Sequence, residues 1–222
     1  MKKFKITDVL IGAVFTVFFI CLGVVTVLQL RFIYYLDIAL LGIHKSTGLT
    51  REVIMENYNA LMDYCSPFYK GDLVFPSLPA SETGLIHFRE VKEIFNMIYL
   101  LLPITFIILL AVIIYKHKKQ DFSYLFTSSV TCIVLPAVVG LACLINFDKA
   151  FVLFHKLFFN NDYWIFDATT DPIITLLPES FFLQCAIIII FIVLVGSLAL
   201  YLTSNAKKGR YNRKKRLFTN MK

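Results

Sequence analysis

Four long apolar runs, separated by polar segments of unequal length, dominate this chain. They cover 9–30, 94–115, 122–147 and 180–203, and each reaches the ~20 residues a helix needs to cross a bilayer core. The pattern predicts an all-α polytopic membrane protein with four transmembrane helices. Residues 1–222 form a single membrane domain in which 31–93 and 148–179 build a cap of short helices and loops, and 204–222 form a basic tail. The first run follows Met-Lys-Lys-Phe-Lys, as in a secretory signal peptide. It is too long for one and no small-x-small cleavage site follows, so it is predicted to remain as an anchor.

The polar segments carry their own periodicity. After Thr50, a cap candidate, apolar residues fall at Val53, Ile54, Tyr58, Leu61, Met62 and Cys65, which predicts an amphipathic helix ending at Ser66-Pro67. Gly71, Pro76 and Pro79 then mark a loop, and Ser81 or Thr83 is placed to cap a helix running into the second span. On that helix His87, Val91, Ile94 or Phe95, and Ile98 share a face. In the second segment Phe147, Phe151, Phe154 and Phe158 form a stripe with His155 at its edge. This predicts a helix lying at the membrane surface with those four rings inward. The turn-rich stretch 160–172 holds Trp164, the only tryptophan.

Charge sets the orientation. Of 22 basic residues, 14 lie in the N-terminal stub, the 116–119 connection and the tail, accompanied only by Asp8 and Asp121. The positive-inside rule therefore predicts both termini in the cytoplasm of a multi-pass cytoplasmic-membrane protein and the cap outside it. The net charge of +7 rests largely on a run directly after a span, which reads as a topology anchor touching anionic membrane lipids, with no nucleic-acid partner. Four of the five cysteines (Cys21, Cys132, Cys143, Cys185) lie within spans and only Cys65 in an outer segment, which excludes a disulfide-stapled cap. No G-x-S-x-G, H-E-x-x-H or phosphate-cradling glycine loop occurs.

Chemistry is concentrated in two histidines. His87 and His155 are both on the outer side, at membrane level, on apolar helix faces, where a neutral imidazole is suited to acid–base work. His44 and His117 read as amphipathic filler. Two rivals stand beside this reading. One is a metal-dependent hydrolase, with Glu90 three residues after His87 and Asp162, Asp167 and Asp171 near His155. The other is a non-enzymatic assembly or sensor protein in which both histidines are packing.

The stretches SETGLIHFREVKEIF (81–95) and FDKAFVLFHKLFFNNDYWIFDATTDPIITLLPESFF (147–182) resemble the bacterial lipoprotein intramolecular transacylase family. The likeness lies in the H-x-x-[DE]-V stretch, the F-H-x-x-F-F helix and the W-x-x-D loop leading into L-P-E. Two departures concern loop detail: Glu90 stands where Asp is expected, and DATTDP where proline is expected earlier. The resemblance implies transfer of the sn-2 acyl chain from the glyceryl oxygen to the α-amino group of a lipoprotein's N-terminal diacylglyceryl-cysteine, giving the lyso form. It also implies His87 and His155 as catalytic residues at the outer leaflet, diacylated bacterial lipoproteins as substrate, a monomer, and neither metal nor cofactor. Candidate walls for the substrate pocket are Tyr34, Tyr58, Tyr64, Phe88, Phe154, Phe158 and Trp164, with Arg89 or Asn161 as oxyanion donors.

Overall fold

The computed structural model describes residues 5–219, those after Gly209 by backbone alone. The basic residues Lys2, Lys3 and Lys222, and the side chains of the tail from Arg210, lie outside the described residues. Among the described residues the secondary structure is helical without strands. The elements are α1 (Ile6–Gln29), α2 (Arg31–Leu40), α3 (Ile43–Thr47), α4 (Arg51–Tyr64), α5 (Glu82–Lys118), α6 (Ser123–Ile145), α7 (Phe147–Phe158), α8 (Ile173–Leu176) and α9 (Glu179–Thr219). Four of them, α1, α5, α6 and α9, are long and apolar enough to span a membrane. Their faces expose side chains such as Phe106, Ile107, Val138, Leu141 and Phe191, a pattern suited to lipid because each helix satisfies its own backbone hydrogen bonds.

The chain divides into two compact units. One comprises the residues up to Gly23, Leu101–Gly140 and Ile189 onward. Its contacts are those of membrane helices, with small residues letting backbones approach. A Cβ on Gly12 of α1 would come within 2.8 Å of Thr131 and 3.0 Å of the Ser128 Cα of α6, so no larger residue fits there. Ser197 of α9 donates to the Ser129 carbonyl of α6 at 2.7 Å. Phe15, Leu109, Tyr124, Leu125, Cys132, Val193 and Leu200 form the apolar core of this unit.

At one end of this unit the two acids that accompany the basic segments are both engaged. Lys116 Nζ lies 3.2 Å from Asp8 Oδ1 and 2.8 Å from Asp121 Oδ2, and Ser123 Oγ lies within 2.9 Å of Asp8 and 2.7 Å of Asp121. Hydrogen bonds from Lys116 and Ser123 hold the Asp121 carboxyl well below the usual carboxylate range, since they favour its charged form. Asp8 is 2% exposed, so its charge has little solvent to fall back on.

The other unit comprises Val24–Leu100 and Leu141–Ile188. Its core is built on Tyr34 of α2 and Tyr58 of α4, stacked at 3.6 Å with Phe181 edge-on to both. Around them lie Ile38, Ile54, Leu61, Ile173 and Leu176. The Tyr34 hydroxyl donates to the Leu176 carbonyl at 2.8 Å, giving the buried phenol its partner. Thr50 caps α4 by accepting from the Val53 amide, as its position predicts. Asn57, fully buried, donates to Ser77 Oγ at 2.7 Å and accepts from the Ser77 amide, which pins the 66–80 loop to α4.

The charge cluster gives the first prediction. Lys116→Met leaves Asp8 buried without its cation, a change that costs about 3–5 kcal/mol when a buried pair is broken on one side. Thermal unfolding in detergent should show a clearly lower Tm, and Lys116→Met combined with Asp8→Asn should recover part of it.

Candidate active site

Helix α5 begins where Ser81 Oγ accepts from the Gly84 amide at 3.0 Å. This start fixes His87, one turn further on. The Ser81 amide in turn donates to Asp171 Oδ1 at 2.8 Å, and Thr170 Oγ1 donates to Asp171 Oδ2 at 2.7 Å. Asp171, 3% exposed, thereby ties the 159–172 loop to the first turn of α5. Gly84 gives the loop room, because a Cβ there would collide with the Asp171 carboxylate and stand 3.0 Å from the Phe166 ring.

His155 lies in α7, which Asn146 caps by accepting from the Lys149 amide at 2.8 Å. Its Nδ1 is 2.8 Å from the Phe151 carbonyl one turn back. A carbonyl only accepts, so this contact selects the Nδ1–H form and leaves the Nε2 lone pair free. The two imidazoles come together, with ring centroids 6.0 Å apart and exposures of 5% for His87 and 9% for His155.

Aromatic rings enclose the pair. Phe159 packs on both, 4.7 Å from His87 and 5.6 Å from His155. Phe166 covers His87 edge-on at 5.5 Å, Trp164 stacks on His155 at 4.7 Å, and Phe151 closes its other side at 4.2 Å. Burial among these rings pushes His155 below the ordinary histidine range, against an opposing pull from the Phe151 carbonyl. Desolvation disfavours the charged imidazolium, so at neutral pH this ring is a free base.

The expected pocket residues divide into two groups. Phe88 is buried 5.8 Å from His87 and stacks on Phe166 at 5.3 Å. Trp164 is in the site, and Asn161 holds it: the indole N–H donates to the Asn161 carbonyl at 3.1 Å, while Asn161 Nδ2 donates to Glu90 Oε1 at 2.7 Å. Tyr34 and Tyr58 instead form the core stack, and Tyr64 packs under Lys92, whose ammonium lies 4.2 Å from its ring centre. Arg89 is exposed and lies beside the Tyr64 side chain.

The aromatic stripe of α7 differs from the expected one. Its inward line is Phe147, Phe151 and His155, whereas Phe154 and Phe158 pair at 4.8 Å and stay about half exposed. Phe154 still touches His155 edge-on at 5.4 Å. The reason is the loop after α7, which brings Phe159 and Trp164 over His155 and turns the stripe by about one side-chain position. Phe159, Phe166 and Gly84 carry no motif that marks them for the site, and Asp171, a metal-ligand candidate by its nearness to His155, instead anchors the loop. Only Phe159, four residues after His155, carried a helical-spacing signal. Among the described residues no three His, Cys, Asp or Glu side chains converge in a way that could hold a metal ion.

The family model for lipoprotein intramolecular transacylase Lit matches residues 9–182. The chain belongs to the lipoprotein intramolecular transacylase family. A structure of the membrane-integral lipoprotein intramolecular transacylase from Bacillus cereus is 38% identical, covers 95% of this chain and 98% of its own, and superposes with a TM-score of 0.86. Two structures of that protein with one histidine replaced, by arginine or by alanine, are each 36% identical with a TM-score of 0.82. They cover 94% and 95% of this chain and 93% and 94% of their own. A search of curated proteins gave no match. The transacylase is thus an acyltransferase acting on lipoproteins and a multi-pass integral membrane protein.

Two predictions test this geometry without an activity assay. Trp164 is the sole tryptophan and is stacked on His155, so its emission should be quenched as the ring gains a proton. The midpoint should fall below histidine's ordinary ~6.5, and the transition should vanish in His155→Phe. A midpoint at or above that value would contradict the burial described here. Gly84→Ala should force Asp171 and Phe166 aside, with a stability loss of about 1–3 kcal/mol for such overpacking and a shifted Trp164 emission maximum.

Proposed function

We propose that this transacylase moves the sn-2 acyl chain of a diacylglyceryl lipoprotein to the α-amino group of the same N-terminal cysteine by histidine acid–base catalysis. The observation that carries the reading is the pair of buried imidazoles, 6.0 Å apart in an aromatic box. Ester-to-amide transfer is downhill, so the obstacles are protonation, geometry and developing charge. The substrate amine, with a reference pKa of ~7.7–8.0, is mostly ammonium at neutral pH and attacks only after losing a proton. That first proton leaves to solvent. The neutral nitrogen bonds to the ester carbon, Nε2 of His155, with its lone pair free, takes a proton from it, the bond from that carbon to the glyceryl oxygen breaks, and the imidazolium gives that proton to the leaving oxygen. His87 hydrogen-bonds the reacting oxygens across the box.

Donor and acceptor are parts of one molecule, so the site needs only to fold the lipid head into a ring. Well-oriented intramolecular reactions reach effective molarities of ~10⁵–10⁸ M, which removes the need for an acyl-enzyme. The two imidazoles and the rings around them lie within one compact unit of the chain, so a monomer suffices as the working unit. The distribution of lysine and arginine supports cytoplasmic termini and a site at the outer leaflet, with 9–30, 94–115, 122–147 and 180–203 in hydrocarbon and membrane lipids around them.

Mass spectrometry of a lipoprotein N-terminal peptide tests the proposal. Expression in a bacterium whose lipoproteins keep a free α-amine should leave the peptide mass unchanged while fragments move one acyl chain from glycerol to nitrogen. His87→Ala and His155→Ala should each reduce conversion by roughly 10²–10⁴-fold, the usual scale for acid–base catalysis. In purified protein kcat/KM should rise with pH towards a plateau near ~8, set by the amine, and should fall more steeply only at a pH under histidine's ordinary ~6.5, where the buried His155 protonates. Full conversion by both alanine variants would defeat the mechanism.

A further inference from the structure

Four buried side-chain polar atoms among the described residues lack a hydrogen-bond partner, and two of them, His87 Nδ1 and Glu90 Oε2, belong to α5 at the same site. Residues three apart on a helix are neighbours on one face, with Cβ atoms about 5–6 Å apart. Such orphans are uncommon in folded proteins, because a buried polar atom without a partner costs free energy. The other carboxylate oxygen of Glu90 is taken: Asn161 Nδ2 donates to Oε1 at 2.7 Å. Asn161 also accepts from the Tyr163 amide at 3.1 Å and from the Trp164 indole at 3.1 Å, and Trp164 stacks on His155. Glu90 is therefore held in a fixed orientation beside one histidine and linked through two residues to the other, with one oxygen left to accept from something the chain does not provide.

We infer that Glu90 is the recognition and charge-stabilising residue for the substrate's α-amino nitrogen, with Oε2 accepting an N–H from it. The inference rests on the function proposed above. In that reaction the amine is the only reacting group that both donates hydrogen bonds and becomes positive. As nitrogen bonds to the ester carbon, it passes from a neutral amine to an ammonium-like centre before the histidine removes its proton. A carboxylate fixed beside that centre attracts it more strongly in the transition state than in the neutral amine, which is the condition for accelerating the step. Glu90 gains and loses no proton. The single proton still travels from nitrogen to the leaving glyceryl oxygen through the imidazole. The same oxygen distinguishes a free amine from an N-acylated cysteine, whose amide nitrogen develops no positive charge, so the product has less hold on the site than the substrate.

Glu90→Gln removes the charge but keeps an amide oxygen able to accept from Asn161, and Trp164 emission verifies that the loop is in place. Two unreactive ligands decide the matter: ether-linked dialkylglyceryl cysteine peptides with a free and with an acetylated α-amine. The wild-type protein should bind the free amine roughly 10- to 100-fold more tightly, the scale of a buried charge-assisted hydrogen bond. In Glu90→Gln this preference should collapse, and kcat on the true substrate should fall by a similar factor with unchanged Trp164 emission. An undiminished preference would overturn the inference, as would equal weakening of both ligands together with a shifted emission, which marks Glu90 as a loop support only. Infrared difference spectra of the wild-type protein give a second reading. The free-amine ligand should shift a glutamate carboxylate stretch that the acetylated one leaves alone, and no shift would overturn the inference even if Glu90→Gln fails to fold. An inactive wild-type protein would instead defeat the transacylation reading itself.

Discussion

The site depends on one carboxylate. Asp171 accepts from the Ser81 amide at the start of α5 and from Thr170 in its own loop, and from this anchor the loop carries Phe166 onto His87 and Trp164 onto His155. Were the loop free, a histidine on α5 and a histidine on α7 would belong to unconnected surfaces. Gly84 belongs to the same constraint, because the carboxylate occupies the space a side chain would fill.

Holding the loop down sets the environment of the two imidazoles. Phe151, Phe159, Phe166 and Trp164 exclude water from the two imidazoles and, by desolvation, keep His155 neutral. The Phe151 carbonyl fixes which nitrogen of His155 has the lone pair. An apolar box also suits the substrate of the proposed reaction, whose head folds upon itself between two acyl chains. In the proposed reaction binding energy goes into shape, while two imidazoles and a carboxylate handle the proton and the transient charge. That proposal needs no covalent nucleophile, because the reacting groups arrive already joined.

The remaining polar groups serve the frame. Lys116 neutralises Asp8 and Asp121, so the acids that interrupt the basic segments are counterions rather than candidates for chemistry. Asn57 and Tyr34 satisfy buried backbone and loop groups beside the aromatic stack. Tyr58, which the sequence offered equally as a pocket wall, belongs to that stack.

Residue type and periodicity were enough to define the four apolar helices, the Thr50 cap and the start of α5 after Ser81, because spans and caps are local consequences of hydropathy and backbone hydrogen bonding; they offered His87 and His155 as candidates but not their meeting. The family likeness carried the reaction. Partner choice was not legible. Phe147, Phe151, Phe154 and Phe158 are equivalent by helical spacing, and only the folded-back loop decides that Phe154 and Phe158 face outward while His155 turns inward. Tyr34, Tyr58 and Tyr64 have the same composition as site residues, yet tertiary packing commits them elsewhere. Glu90 looked like any carboxylate three residues from a histidine until Asn161 was seen to occupy one of its oxygens. Local sequence fixes what a helix presents at each position, but which of those groups meet depends on contacts across dozens of residues, and these exist only once the loop is anchored.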